Sequence, residues 1–313
     1  MRIALVTEQF APSTEPAAHV TREVLSRLIE RGHDVMVFAT GRGQANFGGA
    51  RLFWASRMTP VSAIREALTL SHPDVCHLID PHRLGIKVAE AADRLGVPTV
   101  VLDPRRWKPG VDLADHHPGL LDAELHDRWA RVNSLDGNRL VAGYVGALDR
   151  TKVLNRLEAT ARLPGVRLVV VGEGRGAEML RTAGAKVLPH VTGLERARCL
   201  ASFDVLLQPR KKEIYAPTLH EALASGVPVI AYDGGTASDV VRHEHNGLLV
   251  DTRRGVKTFA GTVARLAENR ELLSAMAGLA RGSVEHRTWD DAVDELLDVH
   301  YASAVGRPSA AIG

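Results

Sequence analysis

At 313 residues, with 45% hydrophobic and 24% charged side chains, the chain has enough apolar material for two domains of ordinary soluble type. A formal net charge of +2 is too mild for a nucleic-acid binder and permits only weak attraction to an anionic membrane. Cys76 and Cys199 fall on separate apolar segments and read as buried free thiols, while the opening MRIALVT is too brief an apolar run for a signal peptide or membrane span. A cytoplasmic location is the expectation.

Strand and helix patterns alternate from the first residue. Residues 2–7 read as a strand, 16–31 as an amphipathic helix stopped by Gly32, and 34–39 and 51–55 as strands around the glycine-rich GRGQANFGG turn. Helix 60–70, strand 75–79, helix 81–95 ended by Gly96, and strand 98–102 follow. Near-continuous apolar strands separated by helices predict a parallel sheet covered on both faces. The rhythm breaks over 103–138, where prolines, acids and histidines surround one short helical candidate, 120–132. Alternation resumes with strand 139–145, helix 150–163, strand 166–171, helix 175–183, strand 185–188 and helix 194–202. Strand 204–208, a polar loop, a helix opened by Pro217-Thr218 and closed by Gly226, and strand 227–232 come next. A short strand at 247–250 and helices at 256–268, 270–285 and 289–303 finish the chain, with 304–313 a tail. The expected fold class is α/β with two Rossmann-like domains. The expected boundaries are 1–106 and 139–288, a linker over 107–138, and a C-terminal helix and tail over 289–313.

In open α/β sheets, ligands lie beyond the carboxyl ends of the strands. Three strand-to-helix turns of the second half are therefore candidates. At Gly146-Ala147-Leu148-Asp149-Arg150-Thr151-Lys152, a helix N-terminus with a lysine in its first turn suits an anion, though Asp149 as a helix cap and a solvated Lys152 fit the same residues. At Val171-Gly172-Glu173-Gly174, the glycines suit phosphate approach or simply a tight turn. Full dinucleotide spacing is lacking, and TEQFAPSTEPAAH after the first strand has no glycine; both count against an NAD or FAD site. The third turn carries two acids, Glu213 and Glu221. Glu213 also reads as a solvated loop acid, and Thr218-Leu219-His220-Glu221 also fits a capping box. The cluster Asp115, His116, His117 and His126 lacks metal-ligand spacing, so no metal site is expected and the histidines read as solvated linker side chains.

Together these loops resemble retaining glycosyltransferases of GT-B architecture, family 4, and within it the actinobacterial GDP-mannose-dependent α-mannosyltransferases. The E-x7-E of Glu213-IYAPTLH-Glu221 carries the resemblance, with ALASGVPVIAYDGGTASDVV and NGLLV after it. YVGALDRTK, VRLVVVGEG, KPGVD, PDVCHLIDPHRLG, LGVPTV and MRIALVTEQFAP extend it over nearly the whole chain. The resemblance implies transfer of a hexose, mannose first, from GDP-mannose or another nucleotide-diphosphate hexose to a hydroxyl acceptor: a lipid, a glycan or a small molecule. It implies no metal or other cofactor. Glu221 would hold the ribose hydroxyls and Glu213 the hexose, as the catalytic-side acid. Lys152, Arg150 and the turns at Gly146, Gly172 and Gly174 would meet the diphosphate, as would the backbone of Ala216, Thr218 and Leu219. On the acceptor side, Asp80 and His82 would position or deprotonate the hydroxyl, although Asp80-Pro81 also reads as a cap with proline behind it.

The chain departs from the pattern at Ala147, where the family usually has arginine, and at Tyr215-Ala216-Pro217, where proline offers no N–H to a phosphate. Val101-Leu102-Asp103 also runs almost directly into Trp107-Lys108-Pro109-Gly110, where relatives have further strands and helices. The N-terminal domain is thus expected to be shortened, which exposes a sheet side and predicts a homodimer. Peripheral association with the inner membrane face is a further expectation. The alternative function is a degenerate, non-catalytic relative that binds a nucleotide sugar or a partner protein. An epimerase of similar architecture has no motif support.

Overall fold

The computed structural model describes residues 1–10, 16–80, 82–101, 107–131, 139–211 and 216–306. The chain divides into two compact units, Met1–Gly110 with Trp289–Gly313, and Val111–Thr288.

The first unit runs β1 (Arg2–Thr7), α1 (Pro16–Glu30), β2 (Asp34–Thr40), β3 (Asn46–Phe47), β4 (Ala50–Ala55), α2 (Val61–Ser71), β5 (Val75–Leu78), α3 (Arg83–Asp93) and β6 (Thr99–Val101). Its sheet has the order β3-β4-β2-β1-β5-β6, parallel except for β3. Each apolar run of β1 is flanked on both sides, with Ile3 opposite Val35 and Val75. Helix α1 turns Ala18, Val20, Thr21, Val24, Leu25 and Leu28 inward, the i, i+3, i+4 stripe of a helix lying on a sheet. Burying its large aliphatic members stabilises the unit by about 1.5–3 kcal/mol each. The glycine-rich turn before β4 holds β3, a two-residue antiparallel strand that periodicity could not register. Among the described residues the sheet ends at β6, where Val101 is half exposed.

The second unit begins inside the stretch read as a linker. Val111, Trp129 and Ala130 are buried in its core, the latter two from α4 (Ala123–Ala130), so this stretch packs as part of the domain. Elements then follow as β7 (Leu140–Val145), α5 (Thr151–Ala161), β8 (Val166–Val171), α6 (Ala177–Thr182), β9 (Lys186–Leu188), α7 (Gly193–Ala201) and β10 (Val205–Gln208). The unit closes with α8 (Pro217–Ala224), β11 (Val229–Asp233), α9 (Thr236–Val240), β12 (Gly247–Asp251), α10 (Val256–Glu268) and α11 (Arg270–Ala280). All six strands are parallel, in the order β12-β11-β10-β7-β8-β9. Alternate residues face opposite layers: Val141, Val169 and Val171 join one core, and Leu140, Ala142, Leu168 and Val170 the other.

The chain then returns to the first unit through α12 (Trp289–Glu295), a π-helical turn over Leu296–Tyr301 and α13 (Ala302–Val305). Arg31 bonds Asp290 and Asp294, each at 2.9 Å, and Trp107 donates its indole N–H to the Ala292 carbonyl at 2.8 Å. At the centre of this contact, the buried Tyr301 hydroxyl meets His77 Nδ1 at 2.8 Å. Both cysteines are free and buried. Among the described residues, no helix is long and apolar enough to cross a membrane.

Candidate functional site

In the second unit the strand order reverses direction at β7, with β8 on one side and β10 on the other. A crevice opens at such a switch point, because the loops after the two neighbouring strands leave toward opposite faces. The loops concerned are the β7–α5 turn and the β10–α8 loop. Glu213 lies outside the described residues.

The β7–α5 turn carries Gly146, Arg150 and Lys152. Helix α5 starts with Arg150 at the cap position and no side-chain cap bond. Asp149 is therefore not the cap; its Oδ1 accepts the Arg175 N–H of the adjacent turn at 3.0 Å. Arg150 and Lys152 are exposed, and among the described residues neither side chain has an ion-pair partner. Two cations thus stand at a helix start with no ion pair among the described residues.

Gly172 and Gly174 serve a packing need. A Cβ at Gly172 would lie 2.1 Å from the Gly146 carbonyl oxygen, and one at Gly174 would lie 2.7 Å from the Leu148 carbonyl carbon. The two turns are zipped by backbone bonds, Gly146 N–H to Val171 O at 3.0 Å and Leu148 N–H to Glu173 O at 2.9 Å. Close approach of one backbone to another explains these glycines without a phosphate. Gly172→Ala is expected to force the β7–α5 turn aside and to lower the apparent Tm by several degrees, the effect of about 2 kcal/mol or more in a domain of this size. A variant melting with the parent would show that the turn adapts freely.

On the other side of the crevice, α8 opens at Pro217 with Ala216 at its cap and no side-chain cap bond. Proline at the first helical position starts the helix one residue too early for Thr218 to be the cap, so the capping-box reading fails. Leu219 N–H is taken by the Ala216 carbonyl at 3.0 Å. Thr218 N–H makes no bond among the described residues, and its hydroxyl accepts from Arg196 Nη2 at 3.2 Å.

Glu221, freed from capping, is buried at 4% exposure and takes Arg196 Nη2 on Oε2 at 2.5 Å. His116 Nε2 lies 3.9 Å from Oε1. Two of the linker histidines, His116 and His126, are thus engaged rather than free in solvent. His116 is held beside α8 by Arg281, which donates to the His116 and Ala224 carbonyls at 3.0 and 2.7 Å. His126 bonds Asp204 at 3.1 Å. Burial pushes the His116 imidazole below its ordinary range, against the pull of Glu221, so it is neutral at neutral pH. For Arg196, burial disfavours the charge, and the facing Glu221 carboxylate more than offsets it. No periodicity pointed to Arg196 or His116. Their pairing with Glu221 spans long stretches of sequence and exists only once α7, α8 and the 111–120 segment pack.

In the first unit the switch point lies between β1 and β5. Glu8 follows β1, and Asp80 and His82 follow β5. Asp80 Oδ1 accepts the Glu8 N–H at 2.7 Å, which ties the two loops together. Helix α3 begins after His82, so Asp80 is not its cap. Burial raises the Asp80 carboxyl to about 6, opposed by its bonds to Glu8 N–H and Thr7. A carboxyl ionising there can take a proton near neutrality. His82 sits exposed at the cap position with no side-chain cap bond.

The profile for Glycosyl transferases group 1 matches residues 126–282. A GDP-mannose-dependent alpha-mannosyltransferase of Mycolicibacterium smegmatis is 30% identical over 384 aligned residues, covering 99% of this chain and 99% of that protein. That alignment exceeds the 313 residues of the chain, so the relative has internal residues with no counterpart here. Among solved structures, a glycosyltransferase of Rickettsia africae superposes with a TM-score of 0.75 at 14% identity, over 98% of this chain and 99% of that one. Anabaena HepE in complex with UDP and glucose gives 0.75 at 13% identity, over 96% and 100%.

Proposed function

The chain belongs to the glycosyl transferases group 1 family and has the GT-B fold, and on that premise we propose that it is a retaining enzyme moving mannose from GDP-mannose to a hydroxyl acceptor. That it is a sugar-nucleotide-dependent glycosyltransferase follows from the family. The observation that carries the finer reading is the switch point of the second unit. There Arg150 and Lys152 and, among the described residues, the unbonded Thr218 N–H are available to a diphosphate, and Arg196 holds Glu221 on α8. The name of the full-length M. smegmatis relative supports mannose and guanine as sugar and base.

On this reading, Glu221 accepts from the ribose hydroxyls and Glu213 from the hexose. Lys152, Arg150 and the turns at Gly146, Gly172 and Gly174 face the diphosphate, with the Ala216–Leu219 backbone opposite. Cations and N–H dipoles set in advance stabilise the leaving diphosphate as its charge develops. Those groups make a metal unnecessary, and chelator should leave the rate unchanged. The acceptor binds on the first unit, where Asp80, with His82, positions the hydroxyl. Attack comes from the face the diphosphate leaves, so a diphosphate oxygen accepts the hydroxyl proton and the anomeric configuration is retained. The half-exposed Val101 on β6, where the sheet ends among the described residues, supports a homodimer, to be checked by light scattering, and the mild positive charge supports a peripheral membrane location.

A thermal-shift panel of nucleotide sugars, followed by product analysis with the best binder, tests this. GDP-mannose is expected to raise the Tm and yield an α-mannoside. Lys152→Ala should slow transfer about 10²–10³-fold, the scale for losing one charge-stabilising group, and Glu221→Ala should abolish the Tm shift. No response to any nucleotide sugar at millimolar concentration sinks the proposal.

A further inference from the structure

The first unit carries a cavity of about 750 Å³ at the carboxyl ends of β1, β2 and β4, lined by Glu8, Thr40, Arg42, Arg57, Arg83 and Lys87, among others. Its charge is one-sided. Five other arginines of this unit are matched to carboxylates, Arg2 to Asp74, Arg27 to Glu23, Arg31 to Asp290 and Asp294, Arg51 to Asp34, and Arg94 to Glu90, while Arg65 stands exposed on α2. Arg42, Arg57 and Arg83 come from three different segments and converge on one cavity, and among the described residues none of their guanidinium groups has a partner. Lys87 Nζ adds a fourth positive charge at the wall, tethered to the Arg57 and Thr59 carbonyls at 3.1 and 2.7 Å. Among the described lining residues the one carboxylate, Glu8, is engaged by the Leu84 N–H at the start of α3 at 2.5 Å.

We propose that this cavity binds an acidic acceptor, a sugar or polyol bearing a phosphate or a carboxylate, with Arg42, Arg57 and Arg83 on its anionic group. Guanidinium forks match both anions with paired N–H donors. The volume is far more than a lone anion fills and lies in the range of small-molecule sites, so the anion arrives on a larger body. Glu8 also gives its N–H to Asp80, which puts the cavity next to the carboxyl assigned to the acceptor hydroxyl. The inference rests on the reading of the first unit as the acceptor side and names the acceptor's chemistry.

The test is calorimetric titration of the intact chain, without donor, with glucose 6-phosphate, glucuronate and glucose. Both anions are expected to bind at least tenfold more tightly than glucose and to weaken steeply with salt. Arg57→Ala/Arg83→Ala should remove that preference, and Arg57→Lys/Arg83→Lys should keep part of it. The lysine pair and the salt series on the parent keep the test decisive if the alanine pair folds poorly. Sedimentation with phosphatidylglycerol against phosphatidylcholine vesicles separates the sources. Arginine-dependent retention on the former assigns a lipid-borne anion, and soluble binding alone assigns a free one. Equal affinity for glucose and the two anions, or anion binding indifferent to the arginines, overturns the proposal. A separate titration with GDP-mannose keeps the two readings apart. Silence there, with the arginine effect intact, strikes the donor assignment and leaves the acidic cavity standing.

Discussion

Arg196→Met is expected to destabilise the second unit by up to about 3–5 kcal/mol, the scale for breaking a buried ion pair from one side. Glu221 is 4% exposed and Arg196 reaches it at 2.5 Å, so removing the guanidinium takes a charged donor from a buried carboxylate. The neighbouring His116 cannot substitute while neutral. Denaturant melts should show a lower midpoint at pH 7.5, with partial recovery at acid pH as His116 takes up a proton beside Glu221. The double variant Arg196→Met/Glu221→Leu should recover most of the loss, since paired removal leaves no orphan. A single variant within about 0.5 kcal/mol of the parent would place the pair in solvent, where surface ion pairs contribute little. The same variant should weaken GDP-mannose binding through a misplaced Glu221 rather than a lost contact, so Arg196→Lys should restore part of it.

Acid should loosen the first unit through His77. Burial, with a smaller push from His300, drives this imidazole from 6.5 down to about 3, and its Nδ1 is spent on Tyr301. A histidine depressed in the folded state contributes stability that is full above pH 6.5 and is lost as the pH falls toward 3. The total is on the order of 5 kcal/mol. Asp80 acts with the opposite sign. Its carboxyl is raised from 3.8 to about 6, so the fold pays for ionising it above that range and is relieved as the pH falls to 3.8. Asp80→Asn, which keeps an acceptor for the Glu8 N–H, should stabilise the unit by on the order of 2 kcal/mol at pH 7.5. That gain should vanish below about pH 4. Melting curves of parent and Asp80→Asn between pH 4 and 8 check both signs, and parallel curves would remove Asp80 as a titrating group. If Asp80 positions the acceptor hydroxyl, the same substitution should also slow transfer.

Much of the fold was legible in the residues. Apolar runs bounded by glycine and proline marked all the long strands, because a strand buried on both faces needs nearly every side chain apolar. The helix starts were less legible. Asp149, Asp80 and Thr218 each satisfied a local capping rule, yet each side chain went elsewhere: to the Arg175 N–H, to the Glu8 N–H and to the Arg196 guanidinium. Local rules rank the bonds a segment can make with itself, and a distant donor of better geometry displaces them. The linker reading failed similarly. Its prolines and histidines look solvated in sequence, but Trp129 at 5% exposure and Val111 at 1% anchor it in a core assembled from later strands.

The residues by themselves determined the α/β alternation, the two-domain plan and the family, through Glu213-IYAPTLH-Glu221 and the stretches around it. Period-2 and period-3.6 patterns report burial segment by segment, and a motif reports descent. Tertiary structure alone decided which charges are matched and which are left over. It gave Glu221 to Arg196, explained Gly172 and Gly174 by the approach of two turns, and gathered Arg42, Arg57 and Arg83 around one cavity, with no carboxylate partner among the described residues. Charge balance is a property of distance in space, and residues 42, 57 and 83 become neighbours only when the strands that precede them join one sheet.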